Sequence, residues 1–228
     1  MMETFRLTDF PFRIDSEKLF KRLHVRAGTE DAADLSRLVE EALLIGRPRA
    51  IYGAIEIEVA GQDEVLLGGV AMESRVLKVN LENVNVAYPF ICTCGQELQE
   101  WSDRITDVIW KYWADGIKEA ALYEAMDALQ NKLHDRYNPG HLSTMSPGSL
   151  ESWPISQQQP LFRLLGNPQE VRLTDSFLMV PNKSVSGISF PTDALFESCQ
   201  LCQRENCPGR RAPYDETLYA QKYCPATN

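Results

Sequence analysis

The sequence predicts an α+β fold, with a twisted and mainly antiparallel sheet flanked by helices. Residues 50–59 alternate between apolar side chains on one face and Glu56 and Glu58 on the other, which is the pattern of a half-buried strand. Further short strands follow without an intervening helix, as they do in antiparallel sheets. The predicted strands are 50–59, 65–79, 84–92, 171–180 and 184–190.

Helical periodicity is clearest in two segments. In residues 31–46, leucine and valine side chains recur three and four positions apart, and Gly46 ends the run. The longest segment, 103–137, contains a row of small residues interrupted by Glu124. This row fits a tightly packed helix whose glutamate reaches water, and it also fits a glutamate that contacts a ligand. The predicted helices are 16–24, 31–46, 103–137 and 157–166.

Composition narrows the class of protein. The 228-residue chain has 44% hydrophobic and 24% charged residues, as folded domains do, and a net charge of −9. This acidic balance predicts that nucleic acid is not a partner. We find no run of eighteen apolar residues and no signal-peptide core at the N-terminus, so we expect no membrane partner and a cytoplasmic location. In that reducing compartment, clustered cysteines favour metal or redox roles over disulfides.

Three of the six cysteines, Cys199, Cys202 and Cys207, lie in one short segment. A gap of two residues lets two thiolates reach one metal ion from a single turn. Pro208 follows the third cysteine, as proline often follows the last cysteine of iron–sulfur motifs. Neighbouring arginines would lower the thiol pKa values and offset the charge of a thiolate-ligated cluster. These arginines are Arg204, Arg210 and Arg211.

The cysteine spacing predicts an iron–sulfur cluster, with four irons as the first choice, and leaves structural zinc or disulfides as alternatives. The four-residue gap is unusual for zinc ribbons, which pair two CxxC knuckles. Three ligands leave one position open. Cys94 is predicted to fill it, because it follows a strand and precedes the turn at Gly95. Cys92 and Cys224 are the other candidates for this fourth ligand.

A longer pattern extends over residues 146–188. It combines a Ser-Pro-Gly-Ser turn, a helix ending in Leu-Leu, and a hairpin reading Leu-Thr-Asp-Ser, Met-Val-Pro and Ser-Val-Ser-Gly. In order and spacing this stretch resembles the activation domain of cobalamin-dependent methionine synthase. The helical run 115–125 and the strand-end turn 93–95 resemble the same family, so the resemblance covers residues 50–190.

The resemblance implies a fold and a small-molecule site. The fold is a twisted antiparallel sheet with helices clustered around it, and the ligand is S-adenosylmethionine. The residues that match the family's ligand-contacting positions are Glu124 in the long helix and Pro147, Gly148 and Ser149 in the loop.

Two positions of this site differ from the family pattern. An arginine four residues before the loop glycine holds the carboxylate of S-adenosylmethionine in the family, and this chain has Thr144 there. A tyrosine usually follows that glycine, and this chain has Ser149. Arg136 and His141 lie nearby in sequence, although their offset from the glycine differs from that of the family's arginine. We therefore expect weak or absent binding of S-adenosylmethionine unless Arg136 or another group replaces that arginine.

The resemblance also suggests how the chain is organised and what it does. It divides the chain into an activation-like domain, 1–190, with a helical N-terminal part, 1–48, and a cysteine-rich metal-binding segment, 191–228. It implies a protein that supports reductive activation of a corrinoid methyltransferase in trans. The cysteine cluster would pass on a low-potential electron from an electron donor protein. The alternatives are a non-catalytic module with structural zinc that binds a corrinoid protein, and an S-adenosylmethionine-dependent methyltransferase for another acceptor.

Overall fold

A computed structural model describes residues 2–61, 63–193, 196–207 and 209–224. Residues 194–195, Pro208 and residues 225–228, which belong to the predicted cysteine-rich segment, lie outside the described residues. The α-helices are α1 (Ser16–Arg22), α2 (Glu30–Ile45), α3 (Arg75–Leu81), α4 (Gln96–Asp103), α5 (Val108–Tyr137) and α6 (Gln158–Leu164). The strands are β1 (Thr4–Leu7), β2 (Arg49–Gly53), β3 (Ile55–Ala60), β4 (Glu64–Leu67), β5 (Val70–Glu73), β6 (Val86–Thr93), β7 (Leu142–Met145), β8 (Arg172–Leu173), β9 (Met179–Val180) and β10 (Ser184–Pro191).

Strand β6 is the centre of a curled antiparallel sheet, which confirms the predicted α+β class. On one side β6 pairs with β10, and β10 pairs in turn with β7. On its other side β6 pairs with β2 and then with β3 in one continuous register, so residues 49–60 act as one interrupted strand. Strand β1 extends the sheet beyond β2, while β4 and β5 extend it beyond β3.

Two of the predicted elements were wrong, and a third was right except for its start. Residues 75–79, predicted as the end of strand 65–79, form helix α3, because the Ser74 hydroxyl accepts a hydrogen bond from the Leu77 N–H at 3.1 Å and caps it. The predicted strand 171–180 is instead the hairpin of β8 and β9, which pair with each other outside the main sheet. The predicted helix 103–137 begins later, at α5, where the Asp107 carboxylate accepts hydrogen bonds from two N–H groups.

Helix α4 and two strands lie where the sequence predicted no element. Strand β7 falls inside the segment 138–159, which reads as a loop because of its proline and glycine content. Strand β1 falls inside the N-terminal part that was predicted to be helical. Both are four-residue strands at an edge of the sheet, where a short alternating pattern is a weak signal.

The sheet separates two apolar layers. On one face, Ile51 and Ile91 pack with residues of α3, α6 and the C-terminal segment. On the other face, Tyr52 and Phe90 pack against the C-terminal half of α5. A third cluster forms where α1, α2 and α4 surround the N-terminal half of α5, and it includes the buried side chain of Trp113. Among the described residues, every helix is too short or too polar to span a bilayer.

Candidate functional site

The predicted ligand loop begins where β7 ends. Pro147 is buried, whereas Gly148 and Ser149 are exposed. The Gly148 N–H donates a hydrogen bond to the Trp153 carbonyl at 2.7 Å, and the Ser149 hydroxyl donates one to the Ser146 carbonyl at 2.6 Å. Gly148 has a φ of +84°, a backbone conformation that glycine adopts without steric cost. The sequence therefore favours this tight turn through local chemistry.

Beside β7, a hollow of about 360 Å³ lies between the sheet and α5. Its apolar wall is formed by Phe90, Cys92 and Leu142 of the strands and by leucine side chains of α5. Its polar wall includes Thr144 of β7 and Ser189 of β10, whose hydroxyl oxygens are hydrogen-bonded at 2.9 Å. The hollow therefore has one apolar wall and one wall with hydroxyl groups, as small-molecule sites often do.

Charged groups from two elements border this hollow. Asp127 comes from α5, and Glu197 and Arg211 come from the C-terminal segment. Arg211 Nη2 lies 2.8 Å from Glu197 Oε2, and both side chains are partly exposed. Gln130, one helical turn after Asp127, also lines the hollow. Asp127 and Gln130 were not among the predicted site residues, although their spacing of three places them on the same face of a helix.

Glu124 occupies a different part of the molecule. It is half-buried and lines a second hollow of about 460 Å³ between α5 and residues 7–13. Asp127 borders both hollows, but Glu124 is absent from the described lining of the hollow that contains Thr144. The role of Glu124 in ligand binding thus stays a prediction, and the structure does not place it together with Thr144.

Arg136 points away from the hollow beside β7. Its guanidinium lies over the ring of Phe5 in β1, 3.9 Å from the ring centroid, and also near the ring of Tyr137. Such a cation–π contact holds the arginine against the opposite edge strand. The guanidinium of Arg136 is therefore engaged elsewhere and does not take the place of the family's arginine near Thr144.

The cysteine segment is folded around Arg210. Cys199 lies in a short 3-10 turn, Ser198–Leu201, and the Cys202 N–H donates back to the Cys199 carbonyl at 3.2 Å. The Arg210 guanidinium is half-buried and donates hydrogen bonds to several backbone carbonyls of the segment. These carbonyls belong to Cys199 (3.0 Å), Cys202 (3.1 Å), Ala212 (3.2 Å) and Arg204. Arg210 thus holds the loop in a closed shape.

Electrostatics at Cys199 favour the thiolate. Partial burial raises the pKa of this thiol. Hydrogen bonds from the backbone N–H groups of Arg211 and Ala212, together with the charge of Arg211, lower the pKa by more, so the net pKa is below the ordinary value. The Arg211 N–H donates to Cys199 Sγ at 3.5 Å. A thiolate is the form that binds metal, so this environment fits a ligand. Cys202 and Cys207 are also partly exposed.

The remaining cysteines lie in different surroundings. Cys92 is fully buried under α5, and its thiol donates to the Ala125 carbonyl at 3.8 Å; burial raises its pKa strongly. Cys94 is buried in the cluster around Trp113, and burial raises its pKa to about 12. Cys224 is exposed. Within the described ranges, no three His, Cys, Asp or Glu side chains are arranged to hold a metal ion. The predicted metal centre therefore stays a prediction.

Comparison with known proteins identifies the architecture. No protein-family profile matches the sequence, and no curated protein matches it significantly. Solved structures do match, among them one described as the crystal structure of the MetH reactivation domain bound to AdoHcy. The TM-score is 0.63 with 14% sequence identity, over 87% of this chain and 81% of that chain. The chain therefore has the fold of the MetH reactivation domain, a curled antiparallel sheet with helices packed around it.

Proposed function

We propose that this protein supports the reductive activation of a corrinoid methyltransferase, acting in trans on a corrinoid-binding protein. The observation that carries the proposal is the fold, which is that of a MetH reactivation domain along 87% of the chain. The neighbour binds AdoHcy, the demethylated form of S-adenosylmethionine. We assign an S-adenosyl ligand in this chain to the hollow that contains Thr144. Pro147, Gly148 and Ser149, which the resemblance implied as ligand contacts, are absent from the described lining of this hollow, so their role stays a prediction.

The reaction we propose balances as one reduction and one methyl transfer. Cob(II)alamin on the partner accepts one electron and becomes cob(I)alamin. The cobalt then attacks the S-methyl carbon of S-adenosylmethionine, the carbon–sulfur bond breaks, and methylcob(III)alamin and S-adenosylhomocysteine result. The role of this chain is to hold the methyl donor, with the apolar wall at Phe90 and the hydroxyls of Thr144 and Ser189 contacting it.

The cysteine segment is proposed to hold the electron-transfer centre. An iron–sulfur cluster bound there would supply a low-potential electron, which an electron donor protein would replace. Cys199, Cys202 and Cys207 are the proposed ligands because they are partly exposed soft donors on one folded loop, and because the pKa of Cys199 is lowered. The described residues do not hold these sulfurs in a ligand arrangement, so metal binding would have to draw them together. Cys94 is the predicted fourth ligand. Since it lies buried in another cluster, its participation would require the chain to rearrange.

Metal analysis of protein purified without oxygen tests this assignment. We expect iron and sulfide with a brown colour, and serine variants of Cys199, Cys202 or Cys207 should lose most of the metal. Arg210→Gln keeps every cysteine but removes the clamp on the loop carbonyls, so it should lower the metal content. Arg26→Gln, at an exposed arginine outside the cysteine segment, is the matched control. Stoichiometric zinc in a colourless protein would favour the structural module instead. Retention of metal in all three serine variants would refute the centre.

The fourth ligand is decided by three further serine variants, at Cys92, Cys94 and Cys224. Loss of metal from Cys94→Ser alone supports the predicted ligand. If Cys94→Ser keeps full metal while Cys92→Ser or Cys224→Ser loses it, the assignment to Cys94 is wrong.

A reconstituted activation reaction tests the function as a whole. A corrinoid protein loaded with cob(II)alamin is mixed with this protein, S-adenosylmethionine and a low-potential reductant, and the absorption spectrum is followed. We expect methylcob(III)alamin to form faster with the protein than without it. An unchanged rate across candidate corrinoid partners, with S-adenosylmethionine bound, would contradict the proposal.

A further inference from the structure

Arg211 connects the cysteine segment with the hollow beside β7. Its backbone N–H donates to Cys199 Sγ at 3.5 Å, while its side chain lines the hollow together with Thr144. The side chain is 54% exposed, so the guanidinium is accessible to a molecule that enters from solvent. One residue therefore belongs both to the sulfur-rich loop and to the wall of a small-molecule site.

The charges around the hollow are asymmetric. Among the described residues that line it, Arg211 alone carries a positive charge, whereas Asp127 and Glu197 carry negative ones. The ion pair between Arg211 and Glu197 uses Nη2, and a guanidinium has five N–H donors in a planar fork. Arg211 can therefore donate hydrogen bonds to a second carboxylate while it stays paired with Glu197. The acidic side chains of Asp127 and Glu197 can bind an ammonium group.

The opposite wall offers no cation of its own. At the matching position of β7, the Thr144 hydroxyl is hydrogen-bonded to the Ser189 hydroxyl at 2.9 Å, and neither group balances the charge of a carboxylate. Arg136 lies over Phe5 on another part of the sheet. A ligand carboxylate in this hollow would consequently meet its counter-charge on the C-terminal segment.

We infer that Arg211 binds the carboxylate at the amino-acid end of the ligand in this hollow, so that the cysteine segment completes the small-molecule site. The inference rests on the proposed function, because it takes the ligand to be an S-adenosyl amino acid. Bidentate pairing with a guanidinium gives both strength and orientation, and would fix the amino-acid end beside β7. Metal binding at Cys199 would then also restrict the position of Arg211, because the Arg211 N–H donates to Cys199 Sγ.

Calorimetry with two nucleosides tests this inference. S-Adenosylhomocysteine carries the amino-acid end, and 5′-methylthioadenosine is a thioether nucleoside that lacks it. Arg211→Gln should weaken binding of S-adenosylhomocysteine about tenfold or more, since a charge-assisted pair is lost. The same variant should leave binding of 5′-methylthioadenosine unchanged, which a general loosening of the fold would not do. Arg204→Gln is the matched control in the same loop, and both nucleosides should bind it as they bind the unaltered protein.

The outcomes separate the inference from the proposed function. If S-adenosylhomocysteine binds Arg211→Gln as tightly as the unaltered protein, Arg211 is not the carboxylate partner, although the proposed activation role stands. If Arg211→Gln weakens the binding of both nucleosides equally, Arg211 acts through the shape of the hollow and the inference is wrong. If the unaltered protein binds neither nucleoside, both the inference and the assignment of the methyl donor to this hollow are overturned.

Discussion

The chemistry of each cysteine depends on where its sulfur lies. Cys199 is partly exposed and accepts hydrogen bonds from backbone N–H groups, which stabilise the thiolate. Cys94 lies among apolar side chains, and its burial raises the pKa to about 12, so that its thiol stays protonated at neutral pH. Cys92 is shielded even more completely under α5. The protein therefore contains accessible and inert thiols within one chain.

Alkylation of the metal-free, reduced protein should follow this order. With iodoacetamide at pH 7, Cys199 should react first, because the lowered pKa of its thiol increases the thiolate fraction at that pH. As the pH is raised, its rate should level off below the pH at which an ordinary thiol, with a pKa of about 8.5, does so. Cys92 and Cys94 should react only after unfolding. Peptide mass spectrometry reads out each site, and labelling of folded Cys94 as fast as Cys199 would contradict the prediction.

Part of the site could be predicted at the level of residues. The turn at Pro147 and Gly148 and the spacing of the three late cysteines depend on neighbours in sequence, so they could be recognised from the sequence alone. The lining of the hollow could not, because it depends on which face of α5 meets the sheet. Glu124 matched a family position, yet the helix places Asp127 and Gln130 at the hollow instead.

The same distinction applies to elements. The interrupted strand of β2 and β3 was predictable, because its alternation of apolar and polar residues is long enough to distinguish it from a chance pattern. Helix α3 was missed because a seven-residue helix shows barely two turns of periodicity. Three of its four apolar residues, Val76, Leu77 and Leu81, are fully buried, so tertiary packing decides its conformation.

The contact between β7 and β10 depends on Gly187. A Cβ atom at this position would lie 2.5 Å from the Met145 carbonyl oxygen and 3.0 Å from Phe90 Cζ. Gly187→Ala should therefore push β7 away from β10 and lower the free energy of unfolding by about 1–3 kcal/mol, the usual cost of overpacking. Urea denaturation measures this change. Because β7 carries Thr144, the variant should also weaken ligand binding in the hollow.

Gly209→Ala is the control for this substitution. Among the described residues, a Cβ atom there has no neighbour within 4 Å, so we expect little change in stability. If Gly187→Ala were as stable as Gly209→Ala, the close approach of Gly187 to the Met145 carbonyl would be contradicted.

At the scale of the whole molecule, the cysteine loop lies between two anchored parts of the C-terminal segment. Phe196 before the loop and Tyr223 after it are both buried, and their rings meet edge to face with centroids 6.2 Å apart. The Tyr223 hydroxyl donates to Asn80 Oδ1 at 3.0 Å, and Arg75 Nε donates to the Tyr223 carbonyl at 3.0 Å. Helix α3 thus holds the end of the segment, while the loop between the anchors is mostly exposed.

This arrangement predicts a local response to metal removal. Metal ligands that join separate parts of a loop restrict its opening, and loss of the metal restores that freedom. Chelation should therefore speed tryptic cleavage after Arg204, Arg210 and Arg211, while the body of the protein keeps its circular dichroism spectrum. The anchors at Phe196 and Tyr223 are independent of the metal, so the fragments should stay associated until denaturant is added.

Cys202→Ser should reproduce the fast cleavage without chelator, and Tyr223→Phe, which keeps the ring and the cysteines, should not. Equal cleavage rates with and without bound metal would show that Arg210 and its carbonyl contacts alone close the loop, and that no metal centre restrains it.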